Sequence, residues 1–255
     1  NVKEIQSVKN PRIKELKKLH KKKYREEKAE YLLEGFHLIE EAASSDAEIK
    51  ELFVTQRGMK EWGDWLAVNK EISTFLVSDE VMTAMSDLPT PQGILAVMTL
   101  TSEDTPDFSG GWLLLDNVQD PGNVGTMIRT ADAFGMAGVL LGKGTADIYS
   151  TKVLRSMQGS NYHLPVLQKD LAEVIPVMKG KGFTVYGTEL NEEAHALDKV
   201  EKTEDFAIIM GNEGQGVSQE ILSSTDQNVY IPMKGNAESL NVGVAAGIVL
   251  YHFSL

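Results

Sequence analysis

The sequence IPMKGNAESLNVGVAAG, residues 231–247, decides the fold of this 255-residue chain. It predicts the end of a strand, a polar loop and the start of a helix that continues to His252. Glu238, Ser239 and Asn241 fall where that helix begins, a position at which side chains cap free N–H groups or hold a ligand. The helix body is rich in Gly, Ala and Val and has no charged residue between positions 242 and 251. Such a helix has to be buried closely against other elements.

Apolar strands alternate with helices along the sequence that leads from Trp112 to this stretch. Continuous apolar strands of this kind are typical of an α/β domain with a mostly parallel sheet and helices on both faces. The predicted strands are 112–116, 138–141, 164–167, 183–188, 206–210 and 228–231, and the predicted helices are 123–134, 151–157, 171–179 and a short one from Val217.

The N-terminal half predicts a second, smaller α/β domain by the same alternation. Asn10 and Pro11 open its first helix as cap and first-turn residue. Residues 101–111 are polar, contain Pro and Gly and lack periodicity, which predicts a linker. The expected domains are therefore 1–100, a basic helix with a small α/β domain, and 112–255, joined by that linker. Within the first domain, the predicted strands are 31–33, 51–55, 73–77 and 94–98, and the predicted helices are 36–43, 60–68 and 79–85.

Composition excludes several classes of function. The chain has no cysteine, which rules out disulfides, thiolate zinc sites and cysteine nucleophiles and fits a reducing cytoplasm. No apolar run has the length of a membrane span and no signal-peptide pattern opens the chain, so we expect a cytoplasmic protein that does not bind a membrane. No spacing of His, Asp and Glu predicts a metal site, and His163, His195 and His252 are isolated in the sequence.

Charge is distributed unevenly along the chain. The net charge is −12, yet residues 1–30 hold 11 Lys and Arg against 5 Glu. A basic arm on an acidic body is typical of a protein that binds a phosphate backbone through the arm alone. The same pattern also describes the solvated face of an ordinary helix, and charge alone leaves both interpretations open.

Three polar, glycine-containing loops follow predicted strands, at residues 116–131, 210–217 and 231–242. Ligands of open parallel sheets bind outside the carboxyl ends of the strands, where such loops lie. Taken singly, Pro121 and Gly122 predict a turn and Asn123 a helix cap. Gly211, Gly214 and Gly216 do not have the spacing of a dinucleotide-binding fingerprint, which argues against a nucleotide-dependent oxidoreductase.

The loops contain three short patterns in order: Asn123-x-Gly125-x-x-x-Arg129-Thr130-Ala131, then Met210-Gly211-Asn212-Glu213-Gly214, then Ile231-Pro232-Met233 with Ser239-Leu240-Asn241-Val242. Together and in this order, they resemble the three motifs of the SpoU (TrmH-type) branch of the SPOUT RNA methyltransferases. Residues 33–42 are similar, more loosely, to the RNA-binding domain that precedes the catalytic domain in many members.

The resemblance implies a deep trefoil knot, which general rules of chain topology make rare. It also implies a homodimer through the knotted domain, with each site built partly by the partner subunit. The implied partner is RNA, with ribosomal RNA ahead of transfer RNA. A non-catalytic RNA-binding protein on the same scaffold is the alternative.

The implied reaction transfers a methyl group from S-adenosylmethionine to a ribose 2′-hydroxyl of RNA, without a metal. The cofactor is expected to lie against Gly211, Ile231 and Leu240, with Gly187 and Thr188 completing the pocket. Glycine at 211 would avoid a collision with a backbone-bound adenosine. The expected catalytic set is Arg129, Asn123, Glu213, Ser239 and Asn241.

Roles within the catalytic set follow from side-chain chemistry. Arg129 stays protonated in proteins, so we expect it to bind the target phosphate or hydroxyl and to stabilise developing oxyanion charge. Glu213 is expected to orient Arg129 or Asn123. Ser239 and Asn241 would hold the loop and the ribose. Residues 155–160 read Arg-Ser-Met-Gln-Gly-Ser where many members have Arg-Ala-Ser-Ala-Gly-Ala, which leaves the target nucleotide and its entry path open.

Overall fold

A computed structural model describes residues 2–102 and 104–255. Glu103, inside the predicted linker, lies outside the described residues. The chain divides into two compact units, which we call unit 1 (residues 1–102 and 149–154) and unit 2 (residues 103–148 and 155–255). Within the described ranges, helices are too short or too polar to cross a membrane.

Unit 1 is built on a five-stranded mixed sheet of order β1-β4-β3-β5-β2. Strands β1, β4 and β3 are parallel, and β5 is antiparallel to both of its neighbours. In chain order its elements are β1 (Lys3–Ile5), α1 (Pro11–Lys17), α2 (Lys22–Lys28), β2 (Glu30–Glu34), α3 (Phe36–Ala43), β3 (Ile49–Val54), α4 (Gln56–Glu61), α5 (Gly63–Val68), β4 (Ser73–Val77), α6 (Asp79–Met85) and β5 (Ile94–Thr99).

The basic segment is part of this folded unit, within the expected domain 1–100, and is not a separate arm. β1 pairs with β4, and Ile13, Leu16 and Leu19 are buried in the core of unit 1. The lysines of α1 and α2 occupy the opposite, exposed side of these helices. Removing the segment would therefore remove a strand and part of the core.

One predicted helix of unit 1, residues 60–68, is two short helices. The first begins at Gln56 because Thr55 caps it: its hydroxyl oxygen accepts a hydrogen bond from the N–H of Gly58 at 3.2 Å. Trp62 then departs from helical geometry, with ψ near +23°, and the next helix starts at Gly63.

Unit 2 is built on a seven-stranded, all-parallel sheet of order β10-β12-β9-β11-β6-β7-β8. The predicted α/β class with a mostly parallel sheet is confirmed. Its elements are β6 (Gly111–Asp116), α7 (Pro121–Ala133), β7 (Gly138–Leu141), α8 (Thr151–Met157, shared with unit 1), β8 (Val166–Gln168), α9 (Leu171–Gly180), β9 (Thr184–Thr188), β10 (His195–Ala196), β11 (Phe206–Gly211), α10 (Gln219–Leu222), β12 (Gln227–Tyr230) and α11 (Val242–Ser254).

Helices cover both faces of this sheet. On one face α9 packs Ile175 and Met178 into a cluster with Trp112 and Leu114 of β6. On the other face α11 places Phe253 against Tyr186 and Phe206, with ring centroids 4.9 and 5.1 Å apart. The terminal helix is buried on one side, as its composition predicts, and this fixes the loop that precedes it at the carboxyl edge of the sheet.

Several predicted boundaries in unit 2 shift. The first helix begins at Pro121 rather than at residue 123, because Asp120 is its cap. The short helix begins at Gln219, after the cap Ser218, and not at Val217, which is buried. Strand β8 runs from Val166 to Gln168, and the two-residue strand β10 was not predicted at all.

Candidate active site

The candidate site lies where the strand order of unit 2 reverses. Strands β6 and β11 are neighbours, but the chain leaves β6 toward β7 on one side and leaves β11 for α10 and β12 on the other. Diverging connections at such a switch point leave a crevice outside the carboxyl ends of the strands. The parts of the first two polar loops that lie outside the strands and α7 border this crevice. They are residues 117–120 and 212–218.

Side-chain hydrogen bonds tie these two loops together. The Nδ2 of Asn212 donates to the backbone carbonyl of Asn117 at 2.8 Å, and the backbone N–H of Ser218 donates to a carboxylate oxygen of Asp116 at 2.8 Å. Asn117 has a φ of +59°, a left-handed conformation that asparagine tolerates better than most residues. Each loop therefore fixes the path of the other.

Glu213 makes the third connection between the loops. Its carboxylate accepts hydrogen bonds from the backbone N–H groups of Asp120 at 2.9 Å and Gln119 at 3.3 Å. Partial burial acts to raise the pKa of Glu213, but hydrogen bonds from the N–H groups of Asp120, Glu213 itself and Gln119 and from the Asn123 side chain outweigh it and lower the pKa. The carboxylate is thus held in its charged form against the first loop.

Asp120 is a structural residue of the site that the sequence analysis missed. Its carboxylate accepts a hydrogen bond from the N–H of Asn123 at 2.8 Å and caps α7, with Pro121 in the first turn. The dipeptide Asp-Pro at a helix start is the signal that identifies it. Asn123 is therefore a first-turn residue of α7, and not the cap.

Asn241 brings the third loop to the first. Its Oδ1 caps α11 by accepting from the N–H groups of Gly243 at 2.8 Å and Val244 at 3.1 Å. Its Nδ2 donates to the Oδ1 of Asn123 at 3.2 Å. Three of the five predicted catalytic residues, Asn123, Glu213 and Asn241, thus form one hydrogen-bonded group within a single chain.

Arg129 and Ser239 are not part of this group. Arg129 is exposed on α7, six residues after Asn123, and at about 100° per residue it points roughly 120° away from it. Ser239 is exposed in the third loop. Among the described residues, neither side chain has a hydrogen bond or an ion pair with the other predicted catalytic residues, and Glu213 orients Asn123 rather than Arg129.

The glycines predicted for the cofactor pocket have structural reasons of their own. A side chain at Gly211 would overlap the backbone of Gly216 and Val217, because the second loop folds back in a bridge between Asn212 and Gly216. A side chain at Gly187 would overlap the Asn228 side chain. The neighbouring Thr188 donates from its hydroxyl to the carbonyl of Ile209 at 2.7 Å. A side chain at Gly211 would thus already collide with protein, and the collision expected there with a bound adenosine stays a prediction.

The third loop differs from the other two because its main chain is unpaired. Residues 232–240, all described, are exposed and form no backbone–backbone hydrogen bond. The half-buried Ile231 stands at one end of this stretch, and Leu240, which is 37% exposed, stands at the other. Free N–H and C=O groups between two apolar side chains suit a ligand that combines an aromatic ring with polar edge atoms.

Residues 155–160, which differ from the pattern in many family members, pack against α7 at Gly125, a glycine of the first motif. A side chain at Gly125 would overlap Ser156, so glycine allows the end of α8 to lie directly on α7. Gln158 has a φ of +51°, and Arg155 is exposed beside it. This segment is therefore anchored to the helix that carries Asn123 and Arg129.

The histidines have structural partners. Nδ1 of His163 lies 2.6 Å from a carboxylate oxygen of Asp132. Nε2 of His252 lies 2.7 Å from the carbonyl oxygen of Val200, and His195 belongs to β10. Across residues 2–102 and 104–255, no group of three or more His, Cys, Asp or Glu side chains is placed to hold a metal ion.

Comparison with known proteins gives two family matches. Residues 112–251 match the SpoU rRNA Methylase family, and residues 10–96 match the MRM3-like substrate binding domain. The 23S rRNA (guanosine(2553)-2′-O)-methyltransferase RlmP of Bacillus subtilis is 43% identical, over 98% of this chain and 99% of its own length. An uncharacterized tRNA/rRNA methyltransferase of Synechocystis is 34% identical, over 97% of this chain and 92% of its own.

Solved structures are similar to this chain over nearly its whole length. An rRNA methyltransferase from Sinorhizobium meliloti with AdoMet bound has a TM-score of 0.87 at 29% identity and covers 98% of this chain and 97% of its own. The SpoU methyltransferase AviRb from Streptomyces viridochromogenes, in complex with AdoMet, has a TM-score of 0.87 at 26% identity, with 96% and 97% covered. The family match over more than half of the chain, together with the full-length relatives, shows that this chain belongs to the SpoU rRNA methylase family.

Proposed function

We propose that this protein methylates a ribose 2′-hydroxyl of ribosomal RNA, with S-adenosylmethionine as the methyl donor. The observation that carries the proposal is the group Asn123, Glu213 and Asn241, which three separate sequence motifs bring to one edge of the sheet. Ribosomal RNA is preferred to transfer RNA because the full-length relative from Bacillus subtilis acts on 23S rRNA. That substrate also supports a cytoplasmic location.

The third loop fits the adenosine part of the cofactor. Its unpaired backbone groups can pair with the polar edge of an adenine ring, and Ile231 and Leu240 offer apolar contacts. Gly211 would place the turn of the second loop close to this pocket, and Gly187 and Thr188 would line it from the end of β9. When bound, S-adenosylmethionine supplies an electrophilic methyl group on its sulfonium.

The chain's own residues then position the alcohol and stabilise charge. Asn123 and Asn241 are placed to orient the ribose so that its 2′-oxygen lies in line with the methyl group. Glu213 acts as a positioning residue, because it holds the loop that carries Asn123. A guanidinium is permanently charged in proteins, so the role of Arg129 is to stabilise the negative charge that develops on the 2′-oxygen during methyl transfer. Ser239 is proposed to contact the ribose from the third loop.

Arg129 is proposed to act on the site of a partner subunit in a homodimer. Within its own chain it points away from Asn123, and it lies on α7, which packs against α11. The outer side of α11 carries an exposed apolar stripe of the kind that marks an interface. The stripe consists of Val244, Ile248, Tyr251 and Leu255, which are 53%, 40%, 55% and 70% exposed.

The trefoil knot is proposed on the topology of unit 2. Strand β11 is inserted between β6 and β9, which precede it in the chain, and α11 then returns to contact the start of α7 through Asn241 and Asn123. The terminal segment thus ends among loops that were formed earlier in the sequence. Threading of this kind would hold the third loop in the place the cofactor needs.

Unit 1 is proposed to bind RNA through the exposed lysines of α1 and α2. The ammonium groups of Lys18 and Lys23 lie 5.7 and 5.5 Å from the centroid of the Tyr24 ring. Lysines around a half-buried ring suit a nucleic acid strand, and such binding weakens steeply with salt. Because this segment is integral to unit 1, charge reversal on the surface, as in Lys14→Glu, is the appropriate probe rather than deletion.

The function is tested with two measurements on the full chain. Isothermal titration with S-adenosylmethionine should show binding, and total RNA from cells that lack the protein should gain 2′-O-methyl groups at a defined rRNA position when protein and cofactor are added. New 2′-O-methyl groups in tRNA alone would support the transfer RNA alternative. RNA binding without cofactor binding would identify a non-catalytic scaffold and overturn the proposal.

A further inference from the structure

Unit 1 contains a cavity of about 260 Å³ at the edge of its sheet where β3 ends and β5 begins. Pockets that enclose whole small-molecule ligands are larger, roughly 300–1,000 Å³, so this cavity suits a single ring system. Its lining combines a basic, an acidic and several uncharged side chains. We call it the base pocket and define it by Thr55, Arg57, Asp79, Met82, Thr83 and Pro91.

The floor of the base pocket is rigid. The N–H of Thr55 donates to the carbonyl of Gly93 at 3.0 Å, and the Thr55 hydroxyl oxygen accepts from the N–H of Gly58 at 3.2 Å. A side-chain carbon on Gly58 would lie 2.5 Å from the Gly93 carbonyl oxygen, and Gly93 has a φ of +86°. These close backbone approaches mean that the cavity is formed before any ligand binds.

The polar walls offer donors and an acceptor together. Arg57 uses its Nη2 to donate to the carbonyl of Gln92 at 3.3 Å, which positions a guanidinium that has five N–H groups in total. Asp79 is exposed in the first turn of α6, and no hydrogen bond or ion pair of its carboxylate occurs among the described residues. Met82, only 1% exposed, and Pro91 form an apolar wall.

This combination matches the edge of one nucleobase best. The Watson–Crick edge of guanine presents two neighbouring N–H donors, which a carboxylate accepts, beside a carbonyl oxygen, which a guanidinium donates to. Adenine, cytosine and uracil do not present two adjacent donors. Unpaired bases in single-stranded RNA are recognised in this way, on their edges and faces.

An aromatic patch adjoins the base pocket. Phe36 stacks on Trp62 with ring centroids 5.1 Å apart and meets Trp65 edge to face at 5.5 Å. All three rings are half-buried. Trp62 lies close to Gly58: a Cβ atom added to Gly58 would be 3.2 Å from the Trp62 ring. Half-exposed rings next to the pocket can stack the nucleotide that follows a bound base.

We infer that the base pocket of unit 1 binds one unpaired guanine of the RNA substrate, with Asp79 and Arg57 reading its edge. The inference rests on the proposed RNA methyltransferase function. It adds a contact within unit 1 that selects the RNA, separate from the site of methyl transfer in unit 2.

The test measures binding of labelled RNA decamers to the full chain by fluorescence anisotropy at fixed salt, without cofactor. The decamers are uridine throughout, or carry one central guanosine, inosine or adenosine. The guanosine decamer should bind about tenfold more tightly than the uridine decamer. Inosine, which lacks one of the two donors, should fall between them, and adenosine should give no advantage.

Asp79→Asn should remove the preference for guanosine, because one oxygen of the carboxylate becomes a donor. Glu80→Gln is the matched control: it removes the same charge from the first turn of α6 but does not line the pocket. Equal thermal midpoints for the two variants would show that both are folded.

Two outcomes would overturn the inference: no preference in the wild type, or Asp79→Asn and Glu80→Gln lowering affinity equally for every decamer. Failure of the proposed function can be told apart from failure of this inference, because the proposed function is measured as methyl transfer to rRNA by the wild-type protein. A wild type that methylates rRNA but ignores the central base would disprove only the base pocket.

Discussion

The first two loops of the candidate site and the third loop differ in how they are held. Residues 116–120 and 212–218 are joined by hydrogen bonds that Asn212 and Ser218 donate and Glu213 accepts, each between residues more than 90 positions apart in the chain. Residues 232–240 have no backbone–backbone hydrogen bond and stay exposed until Asn241 caps α11. One half of the site is complete in a single chain, and the other half is open.

This difference indicates which tasks the chain performs alone. Asn123 and Glu213, which we propose to stand still during the reaction, lie in the cross-linked half, where fixed dipoles stabilise charge without reorganisation. Leu240, Ser239 and Arg129, which we propose to meet the cofactor or the partner, lie in the open half or point away from Asn123. We expect ligand and partner subunit to order that half.

The largest effect is expected for Arg129→Ala. Loss of a positioned charge at the developing oxyanion should lower the rate of methyl transfer about 10²- to 10³-fold. Arg129 is exposed and has no partner among the described residues, so stability and cofactor affinity should not change. Single-turnover transfer and calorimetric titration with S-adenosylmethionine measure the two quantities, and a near-normal rate with bound RNA would exclude the assignment.

Complementation tests whether Arg129 serves the partner's site. Arg129→Ala and Asn123→Ala protomers, co-expressed with different tags, should form mixed dimers in which one site has both residues intact. About a quarter of the wild-type rate should return if dimers form at random. Absence of any recovery in purified mixed dimers would place Arg129 in the site of its own chain.

A smaller effect is expected for Ile248→Glu, in the exposed stripe of α11. A charge there should separate the proposed dimer into monomers. The mass in solution should therefore fall from twice the chain mass to the chain mass of 28.1 kDa. Methyl transfer should fall with it, by about 10²-fold, since each site would lose Arg129 of the partner. Val177→Glu, at an equally exposed aliphatic position on α9, is the control and should leave mass and activity unchanged.

One glycine in each half of the site, replaced by alanine, tests whether the cross-linked loops are more rigid than the third loop. Gly211→Ala should destabilise the fold by about 1–3 kcal/mol, because the added carbon overlaps the backbone of Gly216 and Val217. Gly235→Ala, in the third loop, has no neighbour within 4 Å and should change the unfolding free energy by less than about 0.5 kcal/mol. Urea denaturation compares the two, and equal losses would contradict the contrast between the loops.

Much of the fold follows from local sequence. Helix α6 was predicted with its observed bounds because Ser78 caps it and acidic residues follow in the first turn. Strands β1 and β10 were missed because Lys3–Ile5 and His195–Ala196 are too short and polar to show a period of two. Their pairing is decided by distant strands, and the order of the strands in the sheet has no local signal either.

The same distinction between local and distant information applies to the candidate site. The motifs identify Asn123, Glu213 and Asn241 as residue types, but the bonds among them join positions 90 and 118 residues apart. No spacing in the sequence predicts that Glu213 binds the backbone of Gln119 and Asp120 and leaves Arg129 free. The start of α7 lies two residues ahead of the prediction, because Asp120 caps the helix.

The smallest effect is expected for Glu213→Gln, at the bond between the two rigid loops. The amide oxygen can still accept a hydrogen bond, but the charge-assisted bonds to Gln119 and Asp120 weaken, so methyl transfer should fall about tenfold with cofactor affinity unchanged. Glu220→Gln, an exposed change of the same charge on α10, should have no effect.

The lowered pKa of Glu213 gives this variant a pH signature. The carboxyl has a lower pKa in the folded protein than in the unfolded chain, where it is about 4.3. Its charged form therefore stabilises the fold fully above that value, and the contribution disappears as pH falls through the lower, folded value. The difference in thermal midpoint between wild type and Glu213→Gln should be constant from pH 8 to about pH 5 and should shrink below about pH 4.3. A difference that persists at the lowest pH at which both proteins fold would mean that the carboxylate charge does not hold the two loops together.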